Sequence, residues 1–295
     1  MSLLPEAADD PEGSQRDRAA RGFGPDALDI SRRALICVHG GPGERVEGDV
    51  ILETRGLTKD FDGFVAVKDV DLRVRRGSIH AIIGPNGAGK TTVFNLLTGF
   101  VAPSAGSILL EGRDVTRERP AQIARRGVVR SFQMSAVFPN LSVLENVRVA
   151  LQRDLGSSYR FWRSGRILDA LDDRALEVLA TVDLAGHRDV LAVELPYGRK
   201  RALELATTFA LQPRLMLLDE PTQGMGHEDV GRVTSLIRKV ARGRTVLMVE
   251  HNLSVVADLS DTITVMQRGR ILAEGPYAEV SANPAVLEAY IGSAA

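Results

Sequence analysis

The stretch GPNGAGKT, residues 84–91, constrains this chain more than any other. It has the spacing Gly-x-x-x-x-Gly-Lys-Ser/Thr and lies between a short apolar strand, SIHAIIG (78–84), and an apolar helix, TVFNLLTGF (92–100), the setting a phosphate-binding loop requires. Gly84, Gly87 and Gly89 free the backbone to turn its N–H groups onto phosphate oxygens at the positive end of the following helix. In that geometry Lys90 bridges the β- and γ-phosphates and Thr91 offers a hydroxyl to magnesium. Taken alone, the same letters describe a glycine-rich turn with a solvated lysine, so the reading depends on a second phosphate-site feature downstream.

LMLLDE (215–220) supplies that feature. Four apolar residues bury a strand whose end projects Asp219 and Glu220 at the carboxyl edge of a sheet, where α/β proteins bind their ligands. Asp219 is placed to hold the magnesium shell, and Glu220 to orient or deprotonate an attacking water. His251 ends the next buried strand, TVLMVEHN, from which it reaches either the γ-phosphate or Glu220. Histidines 39, 80, 187 and 227 have no such context and read as incidental.

The remaining organisation follows from texture. Residues 1–49 are rich in Gly, Pro, Asp and Arg and read as a flexible extension; HGGPGE within it lacks the Lys-Ser/Thr pair of a phosphate loop. From Val50 onward VILETRGL and VKDVDLRV alternate as half-buried strands, and GSILLEGRDV (106–115) continues them around a glycine turn. Residues from about 142 to 190 are mostly helical. LMLLD and TVLMVE, separated by the helical HEDVGRVTSLIRKVA, form a βαβ unit, and ITVMQRGRILAEG (263–275) a hairpin about Arg268-Gly269. Lys plus Arg (37) nearly balance Asp plus Glu (38), which argues against bulk binding to nucleic acid or an anionic membrane. Cys37 is the only cysteine, so an internal disulfide is excluded and a cytosolic setting expected. Neither a spanning apolar run nor an export signal is expected from the letters.

With these parts in order, the chain resembles the ATP-binding subunits of ABC transporters over about residues 50–295. GPNGAGKTT looks like their Walker A motif, SFQMSAVFPNLSVLENV the Q-loop, LPYGRKRALELA the signature, LMLLDEP the Walker B motif, and VEHN the switch-histidine segment. The resemblance implies an α/β fold: a P-loop NTPase core with a mainly parallel sheet, an antiparallel β subdomain, and a helical subdomain at about 137–210. It implies ATP and Mg²⁺ as cofactors. The nucleotide-binding set is then Gly84, Pro85, Asn86, Gly87, Ala88, Gly89, Lys90, Thr91 and Thr92, with Phe61 stacking on adenine and Phe64 a weaker candidate. Gln133 senses the γ-phosphate and shares the metal with Thr91 and Asp219, while Glu220, His251, Gln133 and Lys90 carry catalysis.

In that family two subunits sandwich two ATP molecules head to tail, so the signature of one completes the Walker A site of the other. Gly198 leaves room for close approach, and a helix from about Arg199 to Leu211 aims its positive end at the γ-phosphate. The signature departs from the usual pattern, with Pro196 in place of Ser and Arg199 in place of Gln; Arg199 either supplies charge beside the phosphates or is a solvated helix residue. TQGMGHED after Walker B also departs from the common form, which puts communication between the two sites through this loop in question.

The text of the motifs and the ending NPAVLEAYIG are most similar to the branched-chain amino-acid importer subgroup, with urea and amide importers next. The implied partners are integral-membrane permeases, a second ATP-binding subunit (preferably a different chain) and, indirectly, a solute-binding protein, all acting at the cytoplasmic face of the membrane. Phe132, Met134, Phe138, Phe161 and Trp162 read as core before permease groove. A DNA-clamping ABC ATPase is disfavoured by the lack of a coiled-coil insertion, zinc module or basic stripe. A ribosomal factor would carry two cassettes. Intact Lys90, Asp219, Glu220 and His251 count against a non-hydrolysing partner, and only the subgroup text separates importer from exporter.

Overall fold

The computed structural model of the protein describes residues 50–131, 137–152 and 165–291, with the backbone alone at 165–170 and 291. The expectations for 1–49, Phe132, Gln133, Met134, Phe161 and Trp162 lie outside the described residues.

The described residues begin in an antiparallel sheet. β1 (Val50–Phe61) pairs with β2 (Phe64–Val70), β3 (Arg73–Arg75) and, further along the chain, β5 (Ala105–Leu110), which pairs with β6 (Arg113–Asp114). Asp62 and Gly63, both at positive φ, make the two-residue turn between β1 and β2, and Phe61 faces Phe64 across it. Between β3 and β5 come β4 (Ile79–Ile83) and α1 (Lys90–Leu97). The expected helix TVFNLLTGF is shorter at its end: the Thr98 hydroxyl donates to the Phe94 carbonyl at 2.7 Å and Gly99 turns left-handed, so Thr98-Gly99-Phe100 leave the helix.

α2 (Pro120–Arg125) leads to β7 (Val128–Ser131), followed by α3 (Val143–Leu151), α4 (Gly165–Thr181) and α5 (Tyr197–Ala210). Ser142 and Glu145 close a capping box at the start of α3. Then β8 (Leu215–Asp219), α6 (His227–Ala241), β9 (Thr245–Val249) and α7 (Leu253–Leu259) follow as a βαβα run, and β10 (Thr262–Gln267) with β11 (Arg270–Gly275) makes the hairpin read from the sequence. α8 (Tyr277–Ser281) and α9 (Pro284–Ile291) complete the described chain.

The second sheet runs β11-β10-β4-β9-β8-β7, parallel except for β11. Its central strands are buried on both faces because alternate side chains enter two different cores: Met216 and Leu218 of β8 join the core shared with α3, α4 and α5, whereas Leu215 and Leu217 join the core shared with α1 and the antiparallel sheet. That division explains why the LMLLD and TVLMV runs carry no polar alternation. It also makes the helices α3 to α5 continuous with the sheet core rather than a separately packed unit.

His80, read as incidental, is a buried structural group. Its Nε2 lies 2.7 Å from the Thr264 hydroxyl, which itself donates to Glu274, so Nε2 carries the proton. Burial pushes the imidazole down to about 4 from 6.5. A histidine held neutral in the fold stabilises fully above the unfolded value and loses that contribution as pH falls toward the folded one. Unfolding by urea is therefore expected to show a loss of about 2 kcal/mol at pH 5 attributable to His80, and His80→Gln should flatten the curve between pH 6.5 and 4. An unchanged slope in that variant would assign the acid sensitivity to other groups.

Candidate nucleotide site

The loop between β4 and α1 needs its glycines for space as well as conformation. Gly84 and Gly89 sit at φ +148 and +100, and a Cβ would fall 2.2 Å from the Met266 carbonyl oxygen at the first and 2.6 Å from that of Ala66 at the second. The loop is thus clamped between β2 and the β10–β11 hairpin, an arrangement reinforced by Gly269 N–H donating to Ala88 and Lys68 N–H to Gly269. Sequence reading found the hairpin but not its role as a floor for the loop.

Lys90 is buried at the first turn of α1. Its ammonium donates to the carbonyls of Gly84 (2.7 Å) and Pro85 (3.0 Å), joining the two ends of the loop and using two of its three donors. Burial lowers its pKa, while the nearby Glu220 and Asp219 carboxylates work in the opposite direction. Thr91 is exposed and Thr92 half-buried at the head of α1; Asn86 and Gly87 are exposed, Pro85 half-buried and Ala88 buried. Gly89 precedes α1 as a left-handed cap without a side-chain hydrogen bond, which leaves the helix N-terminus to an anion.

Asp219 ends β8 with its side chain 3% exposed. Its Oδ2 accepts from Arg130 at 2.5 Å, whereas Oδ1 is buried with no hydrogen-bond partner. A buried carboxylate oxygen held open in this way suits a divalent cation. Among the described residues no three His, Cys, Asp or Glu side chains are grouped so as to hold a metal ion. Arg130, missed from the sequence, lies within β7, stacks 5.5 Å from the Phe94 ring and donates to Asn95 Oδ1 at 2.7 Å, so it orients Asp219 against α1. Its signal was a charge inside the apolar VVRS strand.

Glu220 follows at φ +45, a strained position for a side chain, with its N–H donating to Val249 across to β9. His251 is exposed, and its Nδ1 lies 3.9 Å from Glu250. Among the described residues the ion-pair geometry of His251 is with Glu250 and not with Glu220. Glu250, also missed, is fully buried and accepts from Thr222 N–H (3.1 Å) and hydroxyl (2.5 Å) and from the N–H groups of His251 (2.8 Å) and Asn252 (3.0 Å).

Phe61 is 43% exposed with the Lys59 ammonium 4.9 Å from its ring centre, and Phe64 is 69% exposed; neither is core. The signature helix starts earlier than expected, at Tyr197, with Pro196 at its cap and no side-chain hydrogen bond there. Proline φ suits the entry, and the N–H groups of the first turn are left uncapped where a serine hydroxyl would have competed for them. Gly198 has a φ any residue adopts; the space beside it holds the Asp229 carboxylate, 2.7 Å from where a Cβ would stand, rather than being open. Arg199 is exposed. Phe138, expected in the core, is 53% exposed and lines an apolar groove of about 460 Å³ with Phe100, Val149 and Leu211.

Comparison with known proteins is consistent with this geometry. The family model described as ABC transporter matches residues 67–223, and one described as branched-chain amino acid ATP-binding cassette transporter matches 270–295. The high-affinity branched-chain amino acid transport ATP-binding protein BraF of Pseudomonas aeruginosa is 39% identical over 254 residues, 83% of this chain and 98% of that one. LivG of Escherichia coli, of the same description, is 38% identical over 256 residues with the same coverage. Among solved structures, a nucleotide-free ATP-binding cassette from an ABC transporter superposes with TM-score 0.71 and a cassette in its ADP conformation with 0.72, each 29% identical and covering 82% of this chain and 99% of the other. With a family model matching over half of its length and relatives 38–39% identical along nearly their whole length, the chain belongs to the ATP-hydrolysing, ATP-binding subunits of ABC transporters.

Proposed function

We propose that this subunit drives the uptake of branched-chain amino acids. The observation that carries the reading is the similarity to BraF and LivG along 98% of their length, joined by the match at residues 270–295 to the branched-chain cassette model. Bound ATP would lie with its phosphates on the N–H groups of residues 84–92 and on Lys90, and its adenine against Phe61. Magnesium, held by Thr91 and Asp219 with Gln133, would neutralise charge on the β- and γ-phosphate oxygens. Glu220 then orients water for attack on the γ-phosphorus as the bond to the ADP oxygen breaks, and His251 faces the departing phosphate.

The uncapped start of α5, Gly198 included, supplies N–H groups to the nucleotide of a second ATP-binding subunit, for which a different chain is preferred. The apolar groove beside Phe138 is the natural seat for a permease segment. No helix among the described residues is long and apolar enough to cross a membrane, so attachment at the cytoplasmic face runs through that permease, which a solute-binding protein serves from the other side. The test is uptake of labelled leucine by cells lacking the gene and by cells restored with the wild type, Glu220→Gln or Arg199→Gln. Restoration by the first and third only is expected; uptake that never depends on the gene would overturn the amino-acid assignment.

A further inference from the structure

We propose that Glu250 is a positioning residue for hydrolysis, locking the turn that carries Glu220 to the backbone at His251 and, through that turn, to the start of the signature helix. Four donors converge on one fully buried carboxylate: two from Thr222, two residues after Glu220, and one each from the amides of His251 and Asn252. Asn252 in turn caps α7 by accepting from Ser254 and Val255. The ends of β8 and β9 are therefore cross-braced below the two side chains that face the γ-phosphate.

The same turn is gripped from its other side. Arg201 Nε donates to the Pro221 carbonyl at 3.1 Å and the Tyr197 hydroxyl to that of Gln223 at 3.1 Å, both from the first turns of α5. Arg201 is itself buried and fixed by Glu204. Segment 221–223 thus sits between the signature helix and Glu250. In a chain whose loop after Walker B departs from the usual form, this brace provides a contiguous physical link from the switch histidine to the surface that meets the second subunit. A buried carboxylate with its lone pairs filled is rigid, and displacing any one donor leaves the others to readjust together.

The inference rests on ATP hydrolysis and not on the identity of the transported solute. It is tested on the full chain with wild-type turnover of the same preparation as reference, using Thr222→Val, which keeps the shape and removes the hydroxyl, Thr222→Ser, which keeps the hydroxyl, Glu250→Gln, and the double variant Thr222→Val/Glu250→Gln. Expected are a kcat about tenfold lower for Thr222→Val with KM for ATP within about twofold, near-wild-type values for Thr222→Ser, and a double variant no slower than the worse single. Melting temperatures of all variants are recorded alongside. The proposal is overturned if Thr222→Val keeps kcat within twofold, if Thr222→Ser is as slow as Thr222→Val, or if the two single effects multiply.

Discussion

Glu220→Gln is expected to lower ATP turnover on the order of 10²–10⁴-fold while leaving ATP affinity within about threefold of wild type. The amide preserves the shape of the side chain and the strained backbone at φ +45, so the N–H that joins Glu220 to Val249 stays in place. In the proposed role, what is lost is the carboxylate that orients and deprotonates water, an interaction made in the transition state. Phosphate release and equilibrium binding of a fluorescent ATP analogue read the two quantities separately. Equal losses in both would mean that Glu220 shapes the site and does not act on the water.

Lys90→Ala acts at the other step. Its ammonium joins Gly84 to Pro85 and has one donor left for a phosphate oxygen, so removal loosens the loop and deletes a charge from the bottom of the site. One charge-assisted bond to phosphate amounts to about 1.5–3 kcal/mol, and ATP affinity is expected to fall on the order of 10- to 100-fold. Turnover falls with it. The contrast between a variant that binds and does not turn over and one that does not bind separates the roles of the two residues.

Much of the nucleotide site was legible in the letters because its parts sit at strand and helix ends with fixed spacing. The loop at 84–91 and the carboxylates at 219–220 need only local geometry: a buried strand, a glycine turn, a helix. Buried runs such as LMLLD told of a sheet covered on both faces, and Asp219 and Glu220 then had to emerge at its edge.

What stayed hidden depends on contacts distant in sequence. Glu250 looked like one more residue next to a histidine, and only the parallel pairing of β8 with β9 brings Thr222 to it. Arg130 carries no motif, and its pairing with Asp219 spans 89 residues. The clamp on Gly84 and Gly89 comes from Met266 and Ala66, whose approach no local pattern announces. Helix ends misled by two or three residues where side chains intervened, as Thr98 did at α1, and Pro196 set the entry to α5 ahead of the glycine expected to open it. Phe138 read as core before permease groove, yet it borders an apolar groove with Phe100, Val149 and Leu211, residues distant from it in sequence.

The account centres on a working ATPase despite Pro196 in the signature, and the most direct measurement is phosphate release by the purified transporter complex in proteoliposomes. It is followed with and without leucine-loaded binding protein, for wild type and for Glu220→Gln in this chain. The account predicts magnesium-dependent hydrolysis that rises when the loaded binding protein is added and falls sharply in the variant. Hydrolysis that is indifferent to Glu220→Gln, or absent from the intact wild-type complex, would contradict it.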